Sequence, residues 1–547
     1  MKMNTWKKLS AMLLAVALLC TTCAMGALAE EAPVTLKVCT IDVESSAGLD
    51  LENQYLTKWI LENLNVDLEF TVFSSEQWQT QFTLMLTTNE LPDLFVGCQN
   101  GNRAEINKYG EQGFFLDFSQ YLDYMPNFRA LSETNPLWAA YQQTESGAIY
   151  GLSRIFPSRI GLCTGMTTFV KTSWLENVGM EMPTTLDEFY DVLVAFKEQD
   201  ANGNGDPNDE IPLSMNISAG YRICWLLMSS FGINNACANE LMMADEDGKV
   251  YSVPDSENYK EYLRYLRKLY AEGLLDETCF VQSVDEMREK YAADRVGFMS
   301  DWTSIQNAVG NPAPSALTEY AYLPGLSSEY TDGNIDFMLG NCGYGNGART
   351  YASAATEYPE TIAMLVDYFL SNDAVLLCDY GVEGETFSYV EDAFGNKVPS
   401  YTGYWEDKYA SQTEYANSLK LDGAFKLVRS DVMNAIIENA SDEMLEEMIY
   451  NDPNYTYTAN AMKEQTLRKA DRLITPYPDL VFTEEEGTER STLMTDIDSY
   501  RGMMRAAFIT GESDIDAEWD NYVNTLKNMG LERLVEIEQA AYDRFSK

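Results

Sequence analysis

The chain has 547 residues, of which 46% are hydrophobic and 12% aromatic, so it holds more apolar material than one core uses; single cores stop growing near about 250–300 residues. It carries 85 acidic against 38 basic residues, a formal charge of −47, and no histidine. That charge repels nucleic acid and anionic membrane surfaces, and the missing imidazole excludes Ser-His-Asp and Cys-His hydrolytic centres and His-ligated zinc.

At the N-terminus Lys2, Lys7 and Lys8 precede an apolar run from Leu9 to Cys20, and Ala27-Leu28-Ala29 precedes Glu30. This is the pattern of a secretory signal over residues 1–29. No later run reaches the roughly 18–20 apolar residues that a membrane span needs, so a secreted, soluble mature chain is expected. Cys20 and Cys23 are the two positions at which a lipid could tether the chain to the outer face of the membrane. Neither has Leu at the third place before it with a small residue just before it, and plain secretion is the favoured reading. The other cysteines, at 39, 98, 163, 224, 237, 279, 342 and 378, lack paired metal-type spacing. They read mostly as small buried residues, with one or two disulfides compatible with the set.

The mature start reads as a βαβ unit. Val34, Leu36 and Val38 alternate as a strand, Tyr55, Trp59, Ile60 and Leu64 recur at helical spacing, and Val66, Leu68, Phe70 and Val72 alternate again. A helix from about Glu76 to Thr88 leads to a short strand, Leu94-Phe95-Val96. Strands and helices in this alternation build a mainly parallel sheet that binds ligands beyond its carboxyl ends, which is where Gln99 would sit. Thr185-Leu186-Asp187-Glu188 is a capping box opening a helix with apolar residues at 186, 189, 193 and 196. Further helices are predicted from about Glu257 to Glu272, closed by Gly273, over Trp519 to Met529 before Gly530, and from Leu531 to Phe545. With no repeat or long linker, two lobes crossed by several strands are expected rather than tethered modules.

The sharpest local signal runs from Asp200 to Pro212, with oxygen-bearing side chains at Asp200, Asn202, Asn204 and Asp206, then Asp209 and Glu210. Oxygens at alternate positions, with glycines that allow sharp turning, are what a hard cation needs to gather six to eight ligands. The twelfth position is Ile211 where an EF-hand has Glu, so a structural calcium loop of another kind is the better reading, ahead of a plain Asn-Gly surface turn.

The second signal is aromatic: 34 Tyr, 23 Phe and 9 Trp. Aromatic platforms with planar polar side chains suit the apolar faces and hydroxyls of sugars. Tyr221-Arg222-Ile223-Cys224-Trp225 and Asp301-Trp302 are the clusters placed for this, with Trp302 foremost because it follows an acidic residue just past a strand. The turn Gly340 to Gly347 lacks the lysine of a phosphate loop and would bring Tyr344 towards a cleft. Glu383-Gly384-Glu385 is the acidic site to inspect for a glycosidase pair, although a solvated or hydroxyl-binding role is the simpler one for Glu383.

Several pieces together resemble the extracellular solute-binding proteins of ABC importers, in the oligosaccharide- and alginate-binding branch of Gram-positive bacteria. They are Glu90-Leu91-Pro92-Asp93; Trp174 to Gly179 followed by Pro183 to Phe189; the Asp200 to Pro212 loop; Lys268 to Leu274; Tyr358-Pro359-Glu360; Tyr380 to Glu385; and Tyr542-Asp543-Arg544-Phe545. The resemblance implies an α/β architecture, the type II periplasmic-binding-protein fold, with two lobes, a hinge and an interlobe cleft, and no covalent chemistry. It implies a first lobe over 30–155, a second over 156–325, a return to the first over 326–400 and a shared helical part over 401–547. It implies calcium on Asp200, Asn202, Asn204, Asp209 and Glu210, with one extra residue at Asp206-Pro207-Asn208 leaving the contribution of Asp206 open. The expected partners are an oligosaccharide, neutral unless Arg222 or Arg103 lies in the cleft, and the membrane subunits of a permease; a monomer is expected. A secreted carbohydrate-active enzyme and a sensory or adhesive surface protein are the alternatives.

Overall fold

The computed structural model describes residues 32–42, 50–100, 103–162, 167–217, 224–233, 241–301, 314–339, 343, 345, 347–401, 425–428, 432–452 and 457–546. The expected signal segment, with Cys20 and Cys23, lies outside them. Among the described residues no single helix is long and apolar enough to cross a membrane.

Two four-stranded sheets organise the chain. The first has the order Ala348–Ala352, Leu94–Asn100, Val34–Asp42, Val66–Ser74. Val34–Asp42 runs parallel to both of its neighbours, and Ala348–Ala352 returns antiparallel. The second has the order Ile211–Ser214, Val296–Asp301, Thr167–Lys171, Tyr320–Tyr322, with the first two parallel and Thr167–Lys171 antiparallel to its neighbours.

Helices cover both faces of each sheet, so successive residues of a strand enter different cores. In the first sheet Leu36, Val38, Leu94 and Val96 join one cluster, while Cys39, Ile41 and Phe95 join another. Phe169 and Val170 divide in the same way across the second sheet, as do Met299 and Phe298. Burying a ring such as Phe298 completely contributes about 1.5–3 kcal/mol.

One irregularity reshapes the end of the Leu94–Asn100 strand. Val96 and Cys98 are two apart, yet Cys98 faces the cluster of Phe95, because Gly97 adopts φ 67° and the register against Ala348–Ala352 shifts between Ala348 and Thr350. A bulge of this kind bends the strand and re-aims the side chains beyond it. The strand therefore runs on to Asn100, beyond the Leu94-Phe95-Val96 read from sequence.

The Thr185 capping box opens the helix Leu186–Glu198, with the Thr185 hydroxyl on the Glu188 amide and the Glu188 side chain returning to the Thr185 amide. Leu186, Phe189, Val192, Leu193 and Phe196 form its buried face. The predicted Glu257 helix spans Glu257–Ala271, and Gly273 follows its end. The C-terminal helices Glu484–Thr510, Ile515–Asn528 and Leu531–Phe545 set Ile497, Phe508, Trp519 and Leu534 in the second lobe's core. Phe545 packs instead against the first lobe's core, and Lys108 reaches Glu484 at 2.7 Å, so these helices touch both lobes.

Candidate functional site

Several segments carry the chain between the cores of the two sheets, and three of them do so within a few residues and next to one another. Ile155 lies in the first lobe's core and Ile160 in the second's; Leu339 lies in the second and Ala348 in the first; Val428 lies in the first and Met433 in the second. The segments are hydrogen-bonded side by side. The Ile155 amide donates to Leu427 O at 2.9 Å, the Phe156 amide to Gly343 O at 2.8 Å, the Gly345 amide to Arg154 O at 2.9 Å and the Leu152 amide to Thr350 O at 2.8 Å. Crossings that are short and bonded to one another let two lobes move as bodies about a defined line.

Beyond that line the first crossing is fastened into the second lobe. The Ser158 hydroxyl donates to Glu438 Oε1 at 2.8 Å, the Ile160 amide donates to the same oxygen at 3.1 Å, and Arg159 Nε donates to Glu464 Oε2 at 2.9 Å. Just before the third crossing Lys426 pairs with both carboxylate oxygens of Asp379, at 2.6 and 2.5 Å. These partners are remote in sequence, Ser158 and Glu438 by 280 positions, and no local pattern announces them.

Strand register places the sheet ends relative to these crossings. Ala348, entered directly from the second crossing, pairs with Asn100, and Thr167, entered soon after the first, pairs with Asp301. The carboxyl end of Leu94–Asn100, which carries Gln99, and that of Val296–Asp301 therefore both lie at the crossing edge of their sheets. Asp301 ends its strand and Trp302 follows it in sequence; Trp225 is in the helix Cys224–Ser229. Trp302, Tyr221, Arg222 and Tyr344 lie outside the described residues. Glu383 is exposed on the turn before Phe387–Glu391, and its neighbour Glu385 accepts from the Tyr55 hydroxyl at 2.8 Å.

Arg103 has a structural employment. It is buried, its Nη2 donates to the carbonyls of Gln142 at 2.5 Å and Gly151 at 2.8 Å, and its guanidinium lies 4.8 Å from the centre of the Tyr141 ring. It braces the segment leading into the first crossing.

The Asp200 loop joins the Leu186–Glu198 helix to strand Ile211–Ser214. Gly205 N donates to Asp200 Oδ2 at 2.9 Å, Asn204 N to Asn202 Oδ1 at 2.9 Å and Asp206 N to Asn204 Oδ1 at 2.7 Å, winding the loop around its own side chains. Asn202 Nδ2 and Asn204 Nδ2 both reach Asp209 Oδ1 at 3.2 Å. Asp206 is exposed and spends Oδ1 on the Asn208 amides, at 3.2 Å to N and 3.0 Å to Nδ2. Asp200 Oδ1 is buried without a hydrogen-bond partner, and both carboxylate oxygens of Glu210 are buried with only the Ala201, Asn202 and Glu210 amides near them, none in good hydrogen-bonding geometry. Burial, with Asp209 adding to it, pushes the Glu210 carboxyl above its ordinary range. Carboxylate oxygens buried in this way carry a large desolvation cost that a cation would offset. Among the described residues no three His, Cys, Asp or Glu side chains converge to hold a metal by themselves, so a cation here would draw on the oxygens of Asn202 and Asn204 as well.

No family model matches the chain. Among curated proteins it is 24% identical over 516 residues to the fructooligosaccharide ABC transporter substrate-binding protein FusA of Streptococcus pneumoniae, covering 89% of this chain and 87% of that one. It is 25% identical over 349 residues to the lipoprotein LipO of Bacillus subtilis, covering 60% of this chain and 63% of that one. Among solved structures, an extracellular solute-binding protein from Bifidobacterium longum subsp. infantis matches with a TM-score of 0.73 at 21% identity, over 94% of this chain and 99% of that one. FusA described as an EF-hand mutant in complex with fructo-nystose matches with a TM-score of 0.67 at 21% identity, over 94% of this chain and 99% of that one. The chain has the two-lobed α/β fold of the extracellular solute-binding proteins, and its similarity to ABC-transporter substrate-binding proteins runs along nearly its whole length.

Proposed function

We propose that this protein is the extracellular substrate-binding component of an ABC importer, and that it captures a neutral oligosaccharide between its lobes and delivers it to membrane permease subunits. The observation that carries this reading is the set of three bonded crossings bordered by the carboxyl ends of both sheets, in a chain similar to FusA over most of its length. Closure about such a line buries a ligand held by both lobes, so binding energy selects the closed form, which a permease distinguishes from the open one. No bond is made or broken.

Trp302 and Trp225 would supply apolar platforms, and Gln99, Asp301, Tyr221, Arg222, Tyr344 and Glu383 would take hydroxyls. A neutral cargo follows from the charge of −47 and from the engagement of Arg103 with backbone carbonyls. Calcium would be held by Asp200, Asn202, Asn204, Asp209 and Glu210, with Asp206 bracing the turn beside it, and would fix the junction between helix and strand without touching the ligand. The chain would work as a monomer, exported by its signal segment, with secretion favoured over a lipid anchor.

The test is a thermal melt of residues 30–547 in calcium across a panel of defined oligosaccharides. A ligand at about 100 times its Kd adds about 2.7 kcal/mol to the folded state, which is visible as a raised Tm. A shift confined to one glycan family supports the reading and names the cargo; no shift with any glycan points to another solute class. Trp302→Ala should weaken binding of that glycan at least tenfold with an unchanged melt of the free protein. Equal affinity would remove Trp302 from the cleft.

A further inference from the structure

Cys39 and Cys98 stand on adjacent strands of the first sheet, where Cys39 is opposite Phe95. In a regular strand Cys98, three positions further on, would lie well past Cys39. The Gly97 bulge changes this: the Cys98 thiol donates to the Cys39 carbonyl oxygen at 3.4 Å, so its sulfur reaches back to the Cys39 residue. Both residues are fully buried and face one aromatic cluster, with Trp78, Phe82, Phe95, Phe115 and Tyr351. Cys279 and Cys378, which are also buried, lie in different clusters.

We propose that Cys39 and Cys98 join in a disulfide when the chain folds under oxidising conditions. Each thiol gives up one proton and one electron as the S–S bond forms. An oxidant bearing a disulfide, either a thiol-disulfide oxidoreductase or a small-molecule disulfide, accepts both electrons and both protons and leaves as two thiols. The bond forms while the sulfurs are still accessible, since the folded protein buries both of them and only the thiolate exchanges readily. It closes a loop between residues separated by 59 positions, spanning the first βαβ unit, so it constrains a long stretch of unfolded chain. It also fixes the bulge that shapes the crossing edge of the first sheet.

The experiment refolds residues 30–547 in a glutathione redox buffer, blocks remaining thiols with N-ethylmaleimide in denaturant, and maps the peptides by mass spectrometry with and without prior reduction. The expected result is one peptide pair linked through Cys39 and Cys98, lost on reduction, with Cys279 and Cys378 carrying the label. In Cys98→Ser the link disappears and Cys39 carries the label. Wild-type protein in which both Cys39 and Cys98 carry the label, or in which either is linked to a different cysteine, overturns the proposal. The map reads the bond directly, so it is independent of whether any sugar binds.

Discussion

Lys290 sets its ammonium 2.8 Å from a carboxylate oxygen of Asp276, a side chain that also accepts from Ser214 Oγ at 2.6 Å, from the Thr278 amide at 3.0 Å and from Thr278 Oγ1 at 2.9 Å. The cluster ties the end of strand Ile211–Ser214 to the helix Val284–Ala292 that carries Lys290. Burial alone would raise the Asp276 carboxyl, but Lys290 and the hydroxyl and amide donors outweigh it and hold the group below its ordinary range.

Stability from Asp276 follows from that direction. A carboxylate with a depressed pKa in the folded state contributes fully above its unfolded pKa, and the contribution is lost as pH falls through the folded value. Asp276→Asn should cost about 2–3 kcal/mol near neutral pH, the scale of hydrogen bonds to a charged group. The gap between wild type and variant, read from urea midpoints, should narrow as pH falls below about 4, the ordinary aspartate value. A gap of equal size at pH 3 and pH 6 would show that charge plays no part.

The buried carboxylate oxygens of Glu210 and Asp200 Oδ1, none held by a well-aligned donor, lead to a crossing pattern of stabilities. With calcium at about 100 times its Kd, the wild-type protein should gain about 2.7 kcal/mol over the same protein in chelator. Glu210→Gln should lose most of that gain. In chelator the same variant should equal or exceed wild type, because a neutral amide is cheaper to bury than an unpaired carboxylate. Differential scanning calorimetry of both proteins with and without calcium measures all four states, and a wild-type melt indifferent to chelation would remove the cation from this loop.

The features legible in the sequence are those written in neighbouring residues. The Thr185 capping box, the turn residues of the Asp200 loop and the alternation in Val34–Asp42 each fix local structure by short-range contacts, and each is present. The helix Glu484–Thr510, 27 residues long, is absent from the sequence reading because its buried side chains, Ile497, Arg501, Phe508 and Ile509, form no continuous apolar stripe. Its local signals are the Thr483 and Glu486 capping box at the start and Gly511 at the end. Other features depend on partners far along the chain. Gly97 turns Cys98 to the opposite face only because the returning strand Ala348–Ala352 slips its register there, and Glu438 meets Ser158 only after the chain has crossed between lobes.

Arg103 separates a structural role from a ligand role. Its Nη2 donates to the carbonyls of Gln142 and Gly151 while the flat guanidinium lies over the Tyr141 ring, and a lysine ammonium has neither that planar face nor the same reach. Arg103→Lys should lower stability by about 1–3 kcal/mol, the cost of leaving buried acceptors unsatisfied. The affinity of the folded variant for a neutral oligosaccharide should change less than twofold. Denaturant titration and calorimetric binding on one preparation distinguish the two effects, and a large loss of affinity with unchanged stability would place Arg103 on the ligand.

Gly151 lies where the first crossing begins, and its lack of a side chain is what lets that segment approach the returning strand. A Cβ built there would stand 2.8 Å from the Ala348 Cβ and 3.4 Å from Thr350 O. The neighbouring Leu152 amide is bonded to that same Thr350 oxygen at 2.8 Å, so the two segments cannot separate without losing the bond. Gly151→Val should therefore cost about 1–3 kcal/mol from overpacking. The strain sits in the first lobe just where two crossings enter it, so the variant should also shift the balance between open and closed forms. Small-angle scattering with and without the oligosaccharide found in the panel should show a smaller ligand-induced compaction than in wild type. A variant that is destabilised but closes to the same extent would show that Gly151 is needed for packing and not for the motion.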